Sequence, residues 1–456
     1  MGTLLHLLER LLYTLAFVSV LAINAGCGLS VSLWGSSSKH SASSGNTGGT
    51  GGSVALQEFY QSFGTPSGLV LMAGATSDSD NNIYAAGAAT GGVLGDSAIG
   101  SVDAVIAKYA PDGTYLWHKA IGSSGSSTLV NRLYYKNGSL YASGYTIGGV
   151  FEGQTAVGNS DMFVAKLNID TGAVIWLKMF GQPSTQMATA ELVVDSSENV
   201  YVTGYGNMSF DSYTVLGNMP SFVMKLDSSG NRLWTSYLDE NGMFFQASGI
   251  GLDNNGNVYI GGSAIGASFD GQAAVGNLDG FIAKFDSNGN KLWAKRTGSA
   301  SNRLAIYDIE VDASGNSYIG GTTIADINGQ TMIGNSDQFV EKYNSSGVRQ
   351  WTKIYGVANA STQVSAIHLD SSGRVLIGGG TDANTTDTTG WSVKRLNSSN
   401  GALVDEFSSS AATALIMDFQ VTSDGWLKAV GVTKSSLEGQ PLTGVLDAFV
   451  LVKKIN

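Results

Sequence analysis

General acid–base or zinc chemistry usually draws on histidine, or on carboxylates set apart from their background. Beyond residue 53 this sequence holds only His118 and His368, 250 residues apart. Each reads as a packed or surface side chain, and no residue is singled out as catalytic. Two carboxylates of glycosidase type could converge from any two loops, yet nothing in the sequence marks a pair. Calcium is the one metal whose ligand pattern occurs: Asp78-Ser79-Asp80-Asn81-Asn82 and Asp253-Asn254-Asn255-Gly256-Asn257 alternate oxygen ligands. Both lack the distant bidentate carboxylate and both fall at turns, so capping of the turn backbone is the expectation and no cofactor is assigned.

Residues fit for binding are those that break a pattern. Tyr237-Leu238-Asp239-Glu240-Asn241-Gly242-Met243-Phe244-Phe245 puts acidic and aromatic groups where equivalent segments carry Gly-Ser or Gly-Ala. Asp239, Glu240, Met243, Phe244 and Phe245 are therefore expected to form a binding face. Arg132 and Arg303 stand near the starts of equivalent strands, where they could meet an anionic group. Trp426 in place of a turn Asn, and the Thr/Asn-rich 381–390, are further departures that fit drift in degenerate copies.

The pattern they break is a ladder of aromatics, Phe59, Trp117, Trp176, Trp234, Trp293 and Trp351, at successive separations of 58, 59, 58, 59 and 58 residues. Such a period means a fold built by repetition. Residues 246–298 show the unit: an apolar strand ending at Asp253, the turn Asn254-Asn255-Gly256, a strand 257–262 and a long loop. A strand 281–285, the turn 286–289 and a strand 291–295 follow. Four short strands joined by Asn/Gly turns make one antiparallel sheet. The second-strand glycine recurs at Gly87, Gly144, Gly204, Gly262, Gly321, Gly379 and Gly431, which gives seven copies.

The last copy stops at Asn456 without its fourth strand, and 56–64 carries the fourth-strand pattern of 116–122. An N-terminal strand that completes the C-terminal sheet closes a ring and removes its open edge. The fold class is thus all-β, a seven-bladed β-propeller with four antiparallel strands per blade. Its blades fall at about 69–127, 128–186, 187–242, 243–302, 303–362, 363–412 and 413–456 plus 54–64. Blade six is the degenerate one, with Asp405 aligned to the aromatic. Tight turns gather on one face of the disc; the second-to-third loops and blade-to-blade connections gather on the other, where function usually lies.

Two further repeats read as architecture. Lys108, Lys166, Lys225, Lys284, Lys342 and Lys394 recur on the third strand, beside the neighbouring Trp and within reach of a cation–π contact. The Gly-Gln-x-x-x-Gly-x-x-Asp loops at 153–161, 271–279, 329–337 and 439–447 fit a small glycine-turned hairpin that serves blade geometry.

The phrase Asp-x-x-Gly-Asn-Val-Tyr-x-x-Gly, then Asp-x-Phe-Val/Ile-x-Lys, then Gly-x-x-x-Trp, resembles the SBBP repeat, a seven-bladed propeller repeat of bacterial surface and secreted proteins. The resemblance spans roughly 400 residues and implies a fold far more than an activity. Gly-x-x-x-Trp also resembles the tryptophan-docking motif of quinone-dependent propellers, without the set of residues that binds the quinone.

At the N-terminus Leu11–Ile23 is an apolar run too short for a membrane span and suited to a signal-peptide core. Asn24-Ala25-Gly26-Cys27 resembles the lipobox of bacterial lipoproteins, with Asn24 in place of the usual aliphatic residue. Residues 1–26 are expected to be a signal peptide, Cys27 the acylated residue, 27–53 a Gly/Ser-rich tether and 54–456 the propeller. Cys27 is the only cysteine, which excludes an intramolecular disulfide. A formal charge of -11 disfavours nucleic acid, whose affinity rests on Lys and Arg. The expectation is a monomer held by lipid at the bacterial outer membrane, its surface included, binding a protein or glycan without catalysis. A carbohydrate-active enzyme with its site in the channel is the second reading.

Overall fold

The computed structural model describes residues 55–455 except 67, 208, 212, 301–302, 384–389, 410–413, 435 and 438–439. The leader, Cys27 and the tether lie outside the described residues. Seven four-stranded antiparallel sheets follow one another along the chain. Each first strand packs against the first strands of both neighbours, blade seven against blade one included, so the sheets form a ring with the first strands innermost. Middle strands are covered on both faces by adjacent blades. Accordingly Ile83–Ala89 and Asp103–Tyr109 are buried at every position, whereas the outer strand Tyr115–Ile121 is exposed at its start.

The ring closes as the sequence predicts. Phe59–Phe63 pairs antiparallel with Asp447–Lys454, Phe59 opposite Val452 and Phe63 opposite Ala448. The seventh sheet thus takes its outer strand from the start of the folded body. Residue 57 enters beside a tight turn, its N–H donating to the Pro111 carbonyl at 3.1 Å. Six junctions are also stitched on the long-loop face by parallel bridges, such as Val102 to Ser127 and Leu278 to Arg303.

The aromatic ladder is the docking device between blades. Trp117, Trp176, Trp293 and Trp351 each donate the indole N–H to a carbonyl in the third turn of the next blade, at 3.1–3.3 Å. The glycine of that turn (Gly172, Gly230, Gly289, Gly347 or Gly401) has positive φ, and a Cβ there would meet the indole at 2.8–3.0 Å. Glycine is needed both for the backbone and for the ring's approach. Phe59 occupies the same place against Gly113 of blade one.

The repeated lysines take a different partner from the one expected. Lys108, Lys166, Lys225, Lys284 and Lys342 sit opposite Trp in strand register, yet each ammonium lies over the second-strand tyrosine at 4.7–5.3 Å. The tyrosine ring faces the same inter-blade gap, while the Trp is turned outward to its turn. In blade six Arg395, not Lys394, holds the repeated position. Arg395 lies opposite Asp405 and pairs with it at 2.7 Å; Lys394 pairs with Glu406 at 2.9 Å. An ion pair has replaced the docking aromatic.

Candidate functional site

The channel is built by an irregularity shared by all seven first strands. Each contains one extra residue relative to its second strand: Ala73, Asn131, Ala190, Ser248, Tyr307, Ser365 and Met417. A β-bulge bends the strand and re-aims the residues that follow it. It also explains the second-strand glycines. A Cβ at any of Gly87, Gly144, Gly204, Gly262, Gly321, Gly379 or Gly431 would lie 1.9–2.1 Å from a first-strand carbonyl oxygen.

Immediately after the bulge come Gly74, Arg132, Glu191, Gly249, Asp308, Ala366 and Asp418. Here side chains span the junctions between blades. Asp418 accepts the Ala75 N–H at 2.8 Å, Asp308 the Ile367 N–H at 2.9 Å and Glu191 the Ile250 N–H at 3.2 Å, each from the following blade. Arg132 donates to the Ala73 carbonyl, Asn131 to that of Thr189 and Ser248 to that of Ile306. His368 Nε2 lies 3.2 Å from Asp418 Oδ1. Every one of the seven junctions carries one of these contacts.

The electrostatics follow from crowding. Burial pushes Glu191 well above the usual carboxylate range, and the negative charge of Asp308 adds to it. Asp308 is raised by burial as well, against the opposing pull of Arg132 and His368. Burial also lifts Glu310 to about 7. For His368 burial opposes the charge, but Asp418, Glu310 and Asp308 outweigh it and hold the imidazolium up to about 9. Burial opposes ionisation of Asp418 too, and His368 with Arg132 outweighs it and keeps the carboxylate below its usual range. Arg132 faces Glu191 with Nε to Oε1 at 3.6 Å.

Of the residues expected on a binding face, Arg132 lies in the channel beside Glu191. Arg303 does not join it: five residues ahead of Asp308, it sits at the long-loop end of its strand, bridged to Leu278. Met243 and Phe245 are buried, the latter against Phe269 and Phe281, and Phe244 is half-buried. The expected acidic-aromatic face is thus corrected: its apolar members belong to the core of blade four. Glu240 accepts the Asp270 N–H at 2.8 Å and ties two loops together.

Asp239 replaces a structural residue. In five blades the Asp that opens the third strand (Asp103, Asp161, Asp279, Asp337, Asp447) accepts the N–H groups three and four residues before it. A glycine after the fourth strand leaves room for it; at Gly64, Gly122, Gly181, Gly298 and Gly356 a Cβ would come within 1.8–2.1 Å of the carboxylate. In blade three Pro220 stands where that Asp would be, two residues before Phe222, which lies opposite Gly204, and Asp239 stands at the glycine's position. It accepts from Leu216 and Gly217 at 2.6 and 2.8 Å. The carboxylate has crossed to the other side of the same pocket.

The remaining motifs serve the frame. Asp78 and Asp253 cap their own turns, accepting from Asp80, Asn82, Asn255 and Asn257, so their oxygens point into the turn. Among the described residues no group of three or more His, Cys, Asp or Glu is arranged to hold a metal ion. Gln154 and Gln272 each bridge the free edge of the fourth strand: Gln154 to Leu177 and Met179, Gln272 to Ala294 and Arg296. The hairpins at 150–155 and 268–273 hold those amides in place. His118 lies at the outer strand between Tyr115 and Asp96.

The sequence reading missed Glu191, Asp308, Glu310 and Asp418. The signal of Glu191, Asp308 and Asp418 was a charged residue inside an otherwise apolar first strand, four positions before the turn; Glu310 stands two places after Asp308. An ordinary strand would have aimed them differently; only the bulge turns that signal into a ring.

A closed ring of seven four-stranded blades, pinned by indole docking outside and polar side chains inside, defines the protein as a seven-bladed β-propeller. Residues 175–211 match the family model described as SBBP, β-propeller repeat. No curated protein matches the chain. Among solved structures it is similar to a catalytically inactive virginiamycin B lyase from Staphylococcus aureus, at 10% identity over 87% of this chain and 100% of that one, with a TM-score of 0.48. It is also similar to a polysaccharide lyase of family PL25, an ulvan lyase (12% identity, 88% of this chain and 96% of that one, TM-score 0.46), and to a protein from Lactobacillus plantarum (10%, 75% and 85%, 0.45).

Proposed function

We propose that the protein is a non-catalytic binding or scaffolding module at the bacterial envelope, held by lipid on Cys27, with recognition by its rigid long-loop face. The observation that carries this reading is the use made of the channel carboxylates. Both oxygens of Asp308 accept backbone N–H groups, from Ile309 and Ile367, and both of Asp418 do so, from Phe419 and Ala75. A carboxylate so committed is a poor proton shuttle and a good strut. Rigid, preformed surfaces bind without an ordering cost.

The second reading, an enzyme acting on carbohydrate, has Glu310 in its favour: a carboxyl titrating at about 7 beside His368 suits general acid–base work. The test is to screen the protein against glycans and envelope proteins beside a hydrolase and lyase panel. Binding without turnover supports the module. Turnover lost in Glu310→Gln overturns it in favour of the enzyme. Cys27→Ala should release the chain from membranes; continued partition into detergent would remove the anchor.

A further inference from the structure

Blade seven departs from the repeat at the junction that closes the ring. Three places before the second-strand glycine, blades one to five carry the tyrosine (Tyr84, Tyr141, Tyr201, Tyr259 or Tyr318) over which the third-strand lysine lies. Blade seven has Lys428 there, and Val452 opposite it at the lysine's place. Lys428 is 3% exposed, and its Nζ donates to Asn81 Oδ1 of blade one at 2.8 Å.

Asn81 is unusual for its place as well. It occupies the left-handed corner of the first turn, with φ of 66°. Blades four to seven use Gly256, Gly315, Gly373 and Gly425 there, the residue type that adopts such backbone freely. In blade three the corner holds Glu198, which also reaches back to a lysine of the preceding blade, Lys166 at 2.8 Å. The two contacts differ in charge. Burial opposes the Lys166 ammonium, but Glu198 and Tyr141 outweigh it and hold it above its usual range. Lys428 meets a neutral amide instead, and burial brings it down to about 8 against the pull of Asp78 and Asp424. A desolvated amine that gives up its proton is a nucleophile.

We propose that Lys428 and Asn81 are joined by an intramolecular isopeptide bond that clasps blade seven to blade one, whatever the long-loop face binds. A carbonyl is about 1.2 Å long, so an amine 2.8 Å from Oδ1 lies within about 4 Å of Cγ. Groups held at such a separation react as though at very high concentration. The neutral Lys428 amine attacks Asn81 Cγ. A Cγ–Nζ bond forms, the Cγ–Nδ2 bond breaks, and one amine proton leaves with Nδ2 as ammonia. No oxidant or second reactant enters. Asn81 is half-buried, which leaves ammonia a way out. The clasp links positions 347 residues apart, where a cross-link restricts the unfolded chain most. It adds to the pairing of Phe59–Phe63 in a chain whose single cysteine forms no internal disulfide.

Mass spectrometry of the folded full chain, intact and digested, tests this. The expected result is a chain lighter by one ammonia, and a branched peptide that joins the segment around Asn81 to that around Lys428. Both features disappear in Asn81→Ala and in Lys428→Arg, which keeps the positive charge without the amine; circular dichroism reports the fold of each. Denaturing electrophoresis gives a second readout, in which the clasped wild type migrates faster than either variant. A wild-type chain of unmodified mass after prolonged warm incubation, with residues 81 and 428 in separate linear peptides, overturns the proposal. So does loss of ammonia without the branched peptide, which is imide formation at an asparagine.

Discussion

The exchange between Pro220 and Asp239 gives the sharpest prediction. Asp239→Gly removes the acceptor of two N–H groups and of the Tyr213 hydroxyl at 3.2 Å. A hydrogen bond to a charged group contributes about 1.5–3 kcal/mol, and water recovers part of it at the exposed Leu216, so the expected loss is about 3 kcal/mol. Pro220→Asp alone restores the common acid while Asp239 still fills the space that the common glycine leaves. By the distances at Gly181 and Gly298, its carboxylate would meet the Asp239 Cβ at about 2 Å. Overpacking with like charge should cost about 2 kcal/mol. The double variant rebuilds the arrangement of five other blades and should lie within about 1 kcal/mol of wild type, a coupling of about 4 kcal/mol. Urea unfolding followed by tryptophan fluorescence reads the three values, and hydrogen exchange at residues 216 and 217 reads the site itself. If the two single effects simply add in the double variant, the compensation argument fails.

Trp176→Ala should cost about 2–4 kcal/mol, because it removes an indole docked on Gly230 together with its bond to the Ser228 carbonyl; a loss under about 0.5 kcal/mol would mean the ladder does not hold the blades. Deleting 55–64 leaves Asp447–Lys454 as an open edge and should broaden the melting transition and promote aggregation in light scattering, whereas a melt as sharp as wild type would contradict closure. Glu310 has a folded pKa of about 7, above its ordinary value, so its ionisation costs stability as pH rises from about 4.5 and the cost is complete above about 7. Glu310→Gln should therefore stabilise at pH 8 and change little at pH 4; equal effects at both would refute the assignment. The His368 contribution has the opposite course, full below about pH 6.5 and lost as pH rises through about 9.

The frame was legible because it rests on local chemistry repeated seven times. Turn residues, strand apolarity and the Trp spacing each specify backbone or docking that a single blade already requires, and the missing last strand was visible at Leu56–Gly64. The partner of the repeated lysines was not, because strand register places Trp opposite them while the inter-blade gap delivers Tyr84 or Tyr259 instead. The channel was hidden for a related reason. Glu191 and Asp308 meet only through two bulges and a ring closure, so no spacing within one blade announces them. The segment 239–245 misled because a departure from the repeat looked like a ligand site, when Asp239 was a repair and Met243 and Phe245 were core.

The pairing of Phe59 with Val452 also sets an order of events. These partners are 393 residues apart, so the ring cannot be completed until almost the whole chain is available, and contacts of that separation form slowly. Blades one to six can assemble on local pairings as they are synthesised, while the N-terminal strand has no sheet of its own to join. Until the final strand arrives, the growing protein has two unfinished ends, an unpaired Phe59–Phe63 and the open side of the latest blade. The last step of folding is therefore the one most exposed to chaperones, proteases and neighbouring chains.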